Sequence, residues 1–345
     1  MKKQMTGHPN VLKEINKGLI KTALQKLQTA TRVEISAETK ISQPTVNLII
    51  NELLNENVVV ENGIAKSTGG RKATLYSLNT QLSYVASIVL EEREVQFSIT
   101  DMNGNEADSD FIETDENWTV ERIMDIIGKI LRRQKDIKAL AVGVPGVVSR
   151  QGQVSAIPKI ECLEGCPLKE KLEEAFGIKV SVCNDINTTA VGYYSDNVKD
   201  NKEFACIHMG NTFGAALIIG GRIVLGSGNF AGEVGLMQID TNLREKEISV
   251  RNKSDEQIIL DVSKITVNII SLINPSVLAI GGRKLKDGML EKIRDNCRKV
   301  LPIDMMPEFI RIDKERQYYL EGLSTVGFES INSDIKLVRQ TNITE

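Results

Sequence analysis

The sequence predicts an α/β protein in two parts. A winged helix-turn-helix head covers residues 1–80, and a larger two-lobed α/β body covers residues 81–345, its lobes meeting near residue 195. Three observations predict this. The first eighty residues carry three short helical patterns followed by two strands. From Tyr84 onward strands and helices alternate in two successive sets, as in a pair of lobes with a cleft between them. The charge divides at the same place: residues 1–80 hold 11 Lys and Arg against 6 Asp and Glu, and the remainder 32 against 40. A basic head on an acidic body points to a polyanion as the head's partner, although a few charges can also differ by chance.

Composition bounds the class. Hydrophobic residues make up 41% of the chain but aromatics only 4%, so the cores must be built from Ile, Val, Leu and Ala. The longest nearly apolar stretch, Ala139 to Val148, includes two glycines and a proline. A membrane helix needs roughly 20 apolar residues, so none is expected. Met1-Lys2-Lys3-Gln4 leads into polar residues rather than an apolar run, so no secretory signal is expected. Five cysteines at irregular spacing suit a reducing, cytoplasmic setting better than a disulfide framework.

In the head, Ile15, Leu19, Ala23 and Leu27, with Ile20 and Leu24 beside them, form one face of a helix from Val11 to Leu27. Thr31 and Glu34 have capping-box spacing and open a helix from Arg32 to Thr39. After a break at Lys40-Ile41, Ser42 caps a third helix that tolerates Pro44 in its first turn. Val46, Ile49, Ile50, Leu53 and Leu54 make its buried stripe. On the opposite face Gln43, Asn47 and Asn51 recur at i, i+4 and i+8, with Thr45 nearby. Such amides pair with adenine in the major groove, and the two helices have helix-turn-helix form. The same ridge also fits the polar face of a plain three-helix bundle.

The segment after the third helix favours DNA. Val58-Val59-Val60 reads as a strand, Glu61-Asn62-Gly63 as a turn, and Thr74 to Leu78 as a returning strand, together a wing. Ser67 to Lys72 is a flexible, basic arm that places Arg71 in a minor groove or on phosphate, or else a solvated linker. The candidate DNA contacts are Ser42, Gln43, Thr45, Asn47, Asn51 and Arg71. Helix-turn-helix proteins usually read paired half-sites, so a homodimer or homotetramer is expected.

In the body, strands are expected at Tyr84–Leu90, Glu94–Thr100, 139–144, 179–182, 204–208, 215–219 and 277–280. Helices are expected at 120–131, 168–176, from Thr188 onward and at 258–272. His208 falls in an apolar strand pattern and reads as a packed histidine. Asn184-Asp185 precedes a helix and reads on spacing alone as an N-cap.

Several segments together carry a resemblance. They are Asn16 to Asn79 with Gly69-Gly70-Arg71, the loop Gly143-Val144-Pro145-Gly146-Val147-Val148, Asn184-Asp185, Gly210 to Gly235 ending in Ala231-Gly232-Glu233-Val234-Gly235, and Ile273-Asn274-Pro275 with Gly281-Gly282. In order and spacing the chain resembles the ROK family (repressors, open reading frames and kinases), in its xylose-repressor-like repressor branch. The resemblance implies an actin-like, sugar-kinase (ribonuclease H-like) body. It also implies a sugar effector held by Gly146, Asn184, Asp185 and Glu233, with Asp185 at the position of the kinase general base. Double-stranded operator DNA is the implied partner of the head.

The departures matter equally. Family kinases open the body with an aspartate and two glycines near the ATP phosphates; here Leu90-Glu91-Glu92-Arg93 stands there. A phosphate cradle needs glycines and open amide donors, and two carboxylates repel polyphosphate. The second phosphate loop, Gly210 to Ala216, keeps only two glycines. Leu236 replaces the histidine of the family's zinc site, and no cysteine follows until Cys297. Cys162 and Cys166 fall short of the four ligands of a structural zinc. No cofactor, no metal and no catalytic residue is therefore expected. The reading is a sugar-responsive repressor of carbohydrate-metabolism genes. Its alternatives are an active ROK sugar kinase with a fused DNA-binding head, and a regulator that answers to another protein.

Overall fold

The computed structural model describes residues 9–65, 73–79, 83–157, 159–198, 202–239 and 253–332. In the head, α1 (Pro9–Leu27), α2 (Arg32–Thr39) and α3 (Gln43–Asn55) precede a hairpin of β1 (Val59–Ile64) and β2 (Thr74–Leu78). The expected capping box forms: Thr31 Oγ1 accepts from the Glu34 amide at 3.3 Å, and the Glu34 carboxylate accepts from the Thr31 amide at 2.7 Å. These bonds, the one from the Thr31 backbone foremost, hold the Glu34 carboxyl below its ordinary pKa. Lys40 turns the chain in the left-handed conformation, and Pro44 falls in the first turn of α3 as expected; Ser42 stands at the N-cap position, but its hydroxyl meets Thr45 Oγ1 at 2.9 Å instead of capping a backbone amide. One expectation is corrected. Glu61-Asn62-Gly63 is not the turn, because β1 runs through it; the pairing with β2 is irregular between Glu61 and Ile64, and Gly63 takes φ 88°. The glycine serves a bulge that keeps the strand going. Residues 67–72, Arg71 among them, lie outside the described residues.

The body contains two five-stranded sheets of the same design. The first is built from β3 (Tyr84–Leu90), β4 (Glu94–Asp101), β5 (Glu106–Glu113), β6 (Ile137–Val144) and β9 (Lys179–Asn184), in the order β5-β4-β3-β6-β9. Helix α4 (Val120–Leu131), the small ribbon of β7 (Val147–Val148) and β8 (Val154–Ser155), and α5 (Leu168–Phe176) fall between these strands. After α6 (Asp185–Asn197) the second sheet uses β10 (Phe204–Met209), β11 (Phe213–Ile219), β12 (Arg222–Ile223), β13 (Val277–Gly281) and β14 (Glu308–Ile312), in the order β12-β11-β10-β13-β14. Helices α7 (Asp255–Ile273) and α8 (Met289–Arg298) are inserted there, and α9 (Glu315–Asn332) comes last. In each sheet three antiparallel strands continue into two parallel ones. This is the duplicated, actin-like α/β architecture.

Both faces of each sheet are covered, so the central strands are buried on both sides. Ala86, Ile88 and Leu90 of β3 join the core under α4 and α5. Val85 and Val89, on the other face, meet α9. In the second lobe α7 and α8 cover one face, while Ala190 and Tyr193 of α6 join the core on the other. The layers therefore run helix, sheet, α9, α6, sheet, helix. The contact between α9 and α6 is made by backbone. A Cβ on Gly192 would lie 2.0 Å from the Tyr318 carbonyl oxygen, and one on Gly322 would lie 2.0 Å from that of Thr188.

The head does not have a core to itself. Ile20, Leu24, Ile35, Val46, Ile49, Ile50 and Leu53 form one cluster with Val85, Met102 and Ala139 of the first lobe and Phe328 of α9. Gln28 Nε2 also donates to the Asn103 carbonyl at 3.2 Å.

Candidate functional site

The cleft site grows from the end of β9. Asn184 has extended backbone and caps α6, its Oδ1 accepting from the Asn187 amide at 3.0 Å. Helix α6 thus begins at Asp185, three residues earlier than the sequence pattern indicates. The Asn184 Nδ2 group donates to the Gly146 carbonyl at 3.0 Å and to Asp185 Oδ1 at 2.9 Å, and Asp185 Oδ1 also accepts from the Ile186 amide. Asn184 is therefore a cap and a brace: it ties the glycine-proline loop to the carboxylate. Gly146, Asn184 and Asp185 are brought together by these bonds. Burial pushes the Asp185 carboxyl up, with His208 pulling the other way. Such a carboxylate suits a hydroxyl partner.

Glu233 lies on a loop fixed to the second sheet. Gly232, at φ 99°, accepts from the Ala215 amide at 2.8 Å, and a Cβ there would lie 2.0 Å from the Ala215 carbonyl oxygen. Ala215 follows Gly214, where an added Cβ would sit 2.1 Å from Ile186 Cδ1 on α6. Across the cleft, Asn229 Nδ2 donates to the Val148 carbonyl at 2.9 Å, and an Arg150 guanidinium N–H donates to that of Gly226 at 3.2 Å. The loop bearing Glu233, whose side chain is exposed, is thereby joined to the loop bearing Gly146.

His208, read from sequence as a packed histidine, is a member of this site. Its Nδ1 lies 3.0 Å from Glu315 Oε1 at the start of α9. Burial would lower its pKa, but the Glu315 bond and charge, with Asp185, raise it overall, against Arg283. Burial above all, with the charges of Asp185, Cys183 and Glu91, pushes the pKa of the Tyr319 hydroxyl well up. It has no hydrogen-bond partner among the described residues, and its ring lies where a Cβ on Gly143 would be. Glu91 and Glu94 both pair with Arg316, and Glu92 with Lys159. The sequence signals for these groups were slight: one of only two histidines in the chain, at the carboxyl end of a strand, where open α/β sheets bind ligands.

The His208–Glu315 pair gives the fold a pH dependence. A histidine whose pKa is raised on folding stabilises the fold fully below about pH 6.5, and that share is lost as pH rises through the raised value. The midpoint of thermal unfolding is expected to fall from about pH 6 to about pH 8.5, more steeply than in His208→Gln. Parallel pH profiles for the two proteins would refute the pairing.

On the head, Ser42, Gln43, Asn47 and Asn51 are exposed along α3, and Thr45 is half-buried. Leu48, in the middle of the same face, is exposed although apolar; sequence reasoning passed over it. Arg32 of α2 reaches across to Asn47 and Asn51.

A duplicated actin-like body with its cleft groups at the strand ends, behind a helix-turn-helix head, defines the class. Comparison points the same way: the ROK family pattern matches residues 86–249, just under half of the chain. The xylose repressor of Caldicellulosiruptor bescii is 27% identical over 240 residues, covering 66% of this chain and 60% of that protein. The chain thus spans about three fifths of the length of the curated relatives it matches. The crystal structure of a ROK family transcriptional regulator, a homologue of the Escherichia coli Mlc protein, shares the fold over 93% of this chain and 98% of its own, with a TM-score of 0.76 at 17% identity. The ROK hexokinase of Thermus thermophilus matches 72% of this chain and 99% of its own, with a TM-score of 0.59 at 16% identity. Among the described residues no helix is long and apolar enough to cross a membrane.

Proposed function

We propose that the protein is a sugar-responsive transcriptional repressor. Residues 1–80 dock on double-stranded operator DNA through Ser42, Gln43, Thr45, Asn47, Asn51 and Arg71. Residues 81–345 form a non-catalytic receptor whose lobes divide near residue 195, and Gly146, Asn184, Asp185 and Glu233 surround a small sugar. Two such chains, or four, read paired half-sites. The relative named as a xylose repressor supports this reading. So does the sequence after β3, where Glu91 and Glu92 stand in place of the glycines that a phosphate cradle needs.

The observation that carries the proposal is the shared core. Helix α9 starts at Glu315 beside His208 in the cleft, and its Phe328 ends among the buried side chains of α1, α2 and α3. A sugar with different affinity for open and closed lobes shifts the head through this connection.

Binding of the full chain to promoter duplexes tests it, with a panel of pentoses, hexoses and amino sugars, free and phosphorylated. One sugar is expected to change DNA affinity by about 5- to 150-fold, the usual size of such coupling. Asp185→Ala is expected to abolish that response while DNA binding without sugar persists. Absence of DNA binding, or transfer of phosphate from ATP to a sugar that depends on Asp185, would overturn the proposal; the latter would establish the kinase alternative.

A further inference from the structure

We infer that Arg32 is a specificity-determining positioning residue: it orients the side-chain amides of Asn47 and Asn51 so that their NH2 groups face the DNA bases. The inference rests on the reading of the head as a DNA-binding module and deepens it. Arg32 opens α2, away from the ridge in sequence, yet its guanidinium ties the two helices together. One terminal nitrogen donates to Asn47 Oδ1 at 3.3 Å and the other to Asn51 Oδ1 at 2.7 Å. Its Nε donates to the Tyr76 hydroxyl at 3.0 Å, and its Cζ lies 5.0 Å from the centre of the Tyr76 ring. Tyr76 is itself anchored, buried in the head core and paired through its backbone with Ala30.

The chemistry fixes the direction of the amides. A guanidinium has donors only, so an amide bonded to it must present oxygen. Asn47 and Asn51 are exposed, and their oxygens are turned toward Arg32, which leaves the NH2 ends for an incoming ligand. In the major groove such donors match acceptor edges, namely purine N7, guanine O6 and thymine O4. An unconstrained asparagine presents donor or acceptor with equal ease and discriminates less. Lysine cannot replace Arg32 here, because a point ammonium does not span two amides with a fixed fork.

Selection from randomised duplexes by the full chain tests this, comparing wild type, Arg32→Ala and Arg32→Lys, each checked by thermal unfolding. Wild type is expected to enrich acceptor edges at two positions spaced as Asn47 and Asn51 are. Both variants are expected to lose about tenfold in preference at those two positions. Arg32→Lys, which keeps the charge, is expected to bind non-specific duplex within about twofold of wild type. If wild type enriches a sequence and the folded variants enrich it with the same base preferences, the role of Arg32 is refuted and the DNA-binding reading stands. If wild type enriches nothing, the DNA-binding reading falls and the inference with it.

Discussion

Gly322→Ala is expected to destabilise the body by about 3 kcal/mol or more, at or beyond the upper end of the usual cost of overpacking. The reason is the neighbour the new methyl meets. At the crossing of α6 and α9 that neighbour would be the Thr188 carbonyl oxygen at 2.0 Å, and a backbone atom within a helix cannot swing aside as a side chain can. The opposite glycine, Gly192, faces the Tyr318 carbonyl in the same way, so neither helix has slack to offer its partner. Since Asp185 opens α6 and Glu315 opens α9, the substitution should also disturb the cleft. Denaturant unfolding of the full chain measures the effect. A loss below about 1 kcal/mol, the lower end of that usual cost, would mean that the two helices can separate without penalty.

Phe328→Ala is expected to cost about 3–5 kcal/mol, the usual range for a buried phenylalanine in a core that refills poorly. Phe328 is 3% exposed and sits in the cluster shared by α1–α3 and the first sheet. The cost should fall on both sides of that cluster. Amide hydrogen exchange is expected to quicken in α3 and in β3 together, because Ile50 and Val85 belong to the cluster that loses the ring. Faster exchange in the head alone would show that the cluster is two cores in contact rather than one.

The sequence was most legible where periodicity and capping agree. Val120–Leu131 and Leu168–Phe176 are helices with the bounds the pattern gives, and the Thr31/Glu34 capping box forms as written. It was least legible where burial is two-sided or absent. Strand β5 has a mostly exposed sequence, Glu-Ala-Asp-Ser-Asp-Phe-Ile-Glu, without apolar alternation, and exists because β4 offers it an edge. Helix α9 escaped for the opposite reason. It packs against α6 on one side and the first sheet on the other, so it has no single apolar stripe, and its glycines serve close approach. The site suffered accordingly. Gly146, Asn184 and Asp185 entered the candidate site through their motif, whereas Glu315 and Tyr319 belong to the helix that went unread. His208 was seen but placed in the core, since its partner lies 107 residues further along the chain.

From Glu315 to Phe328 is about thirteen residues of continuous helix, about 20 Å at 1.5 Å per residue. That span bears on how such proteins can be recombined. Cutting after residue 80 would not release a self-contained head, because the cluster that holds α1–α3 would lose Val85, Met102, Ala139 and Phe328. A head transplanted onto a foreign body would need the matching end of the recipient's last helix. Modules that look interchangeable in sequence are, in this molecule, cut to fit each other.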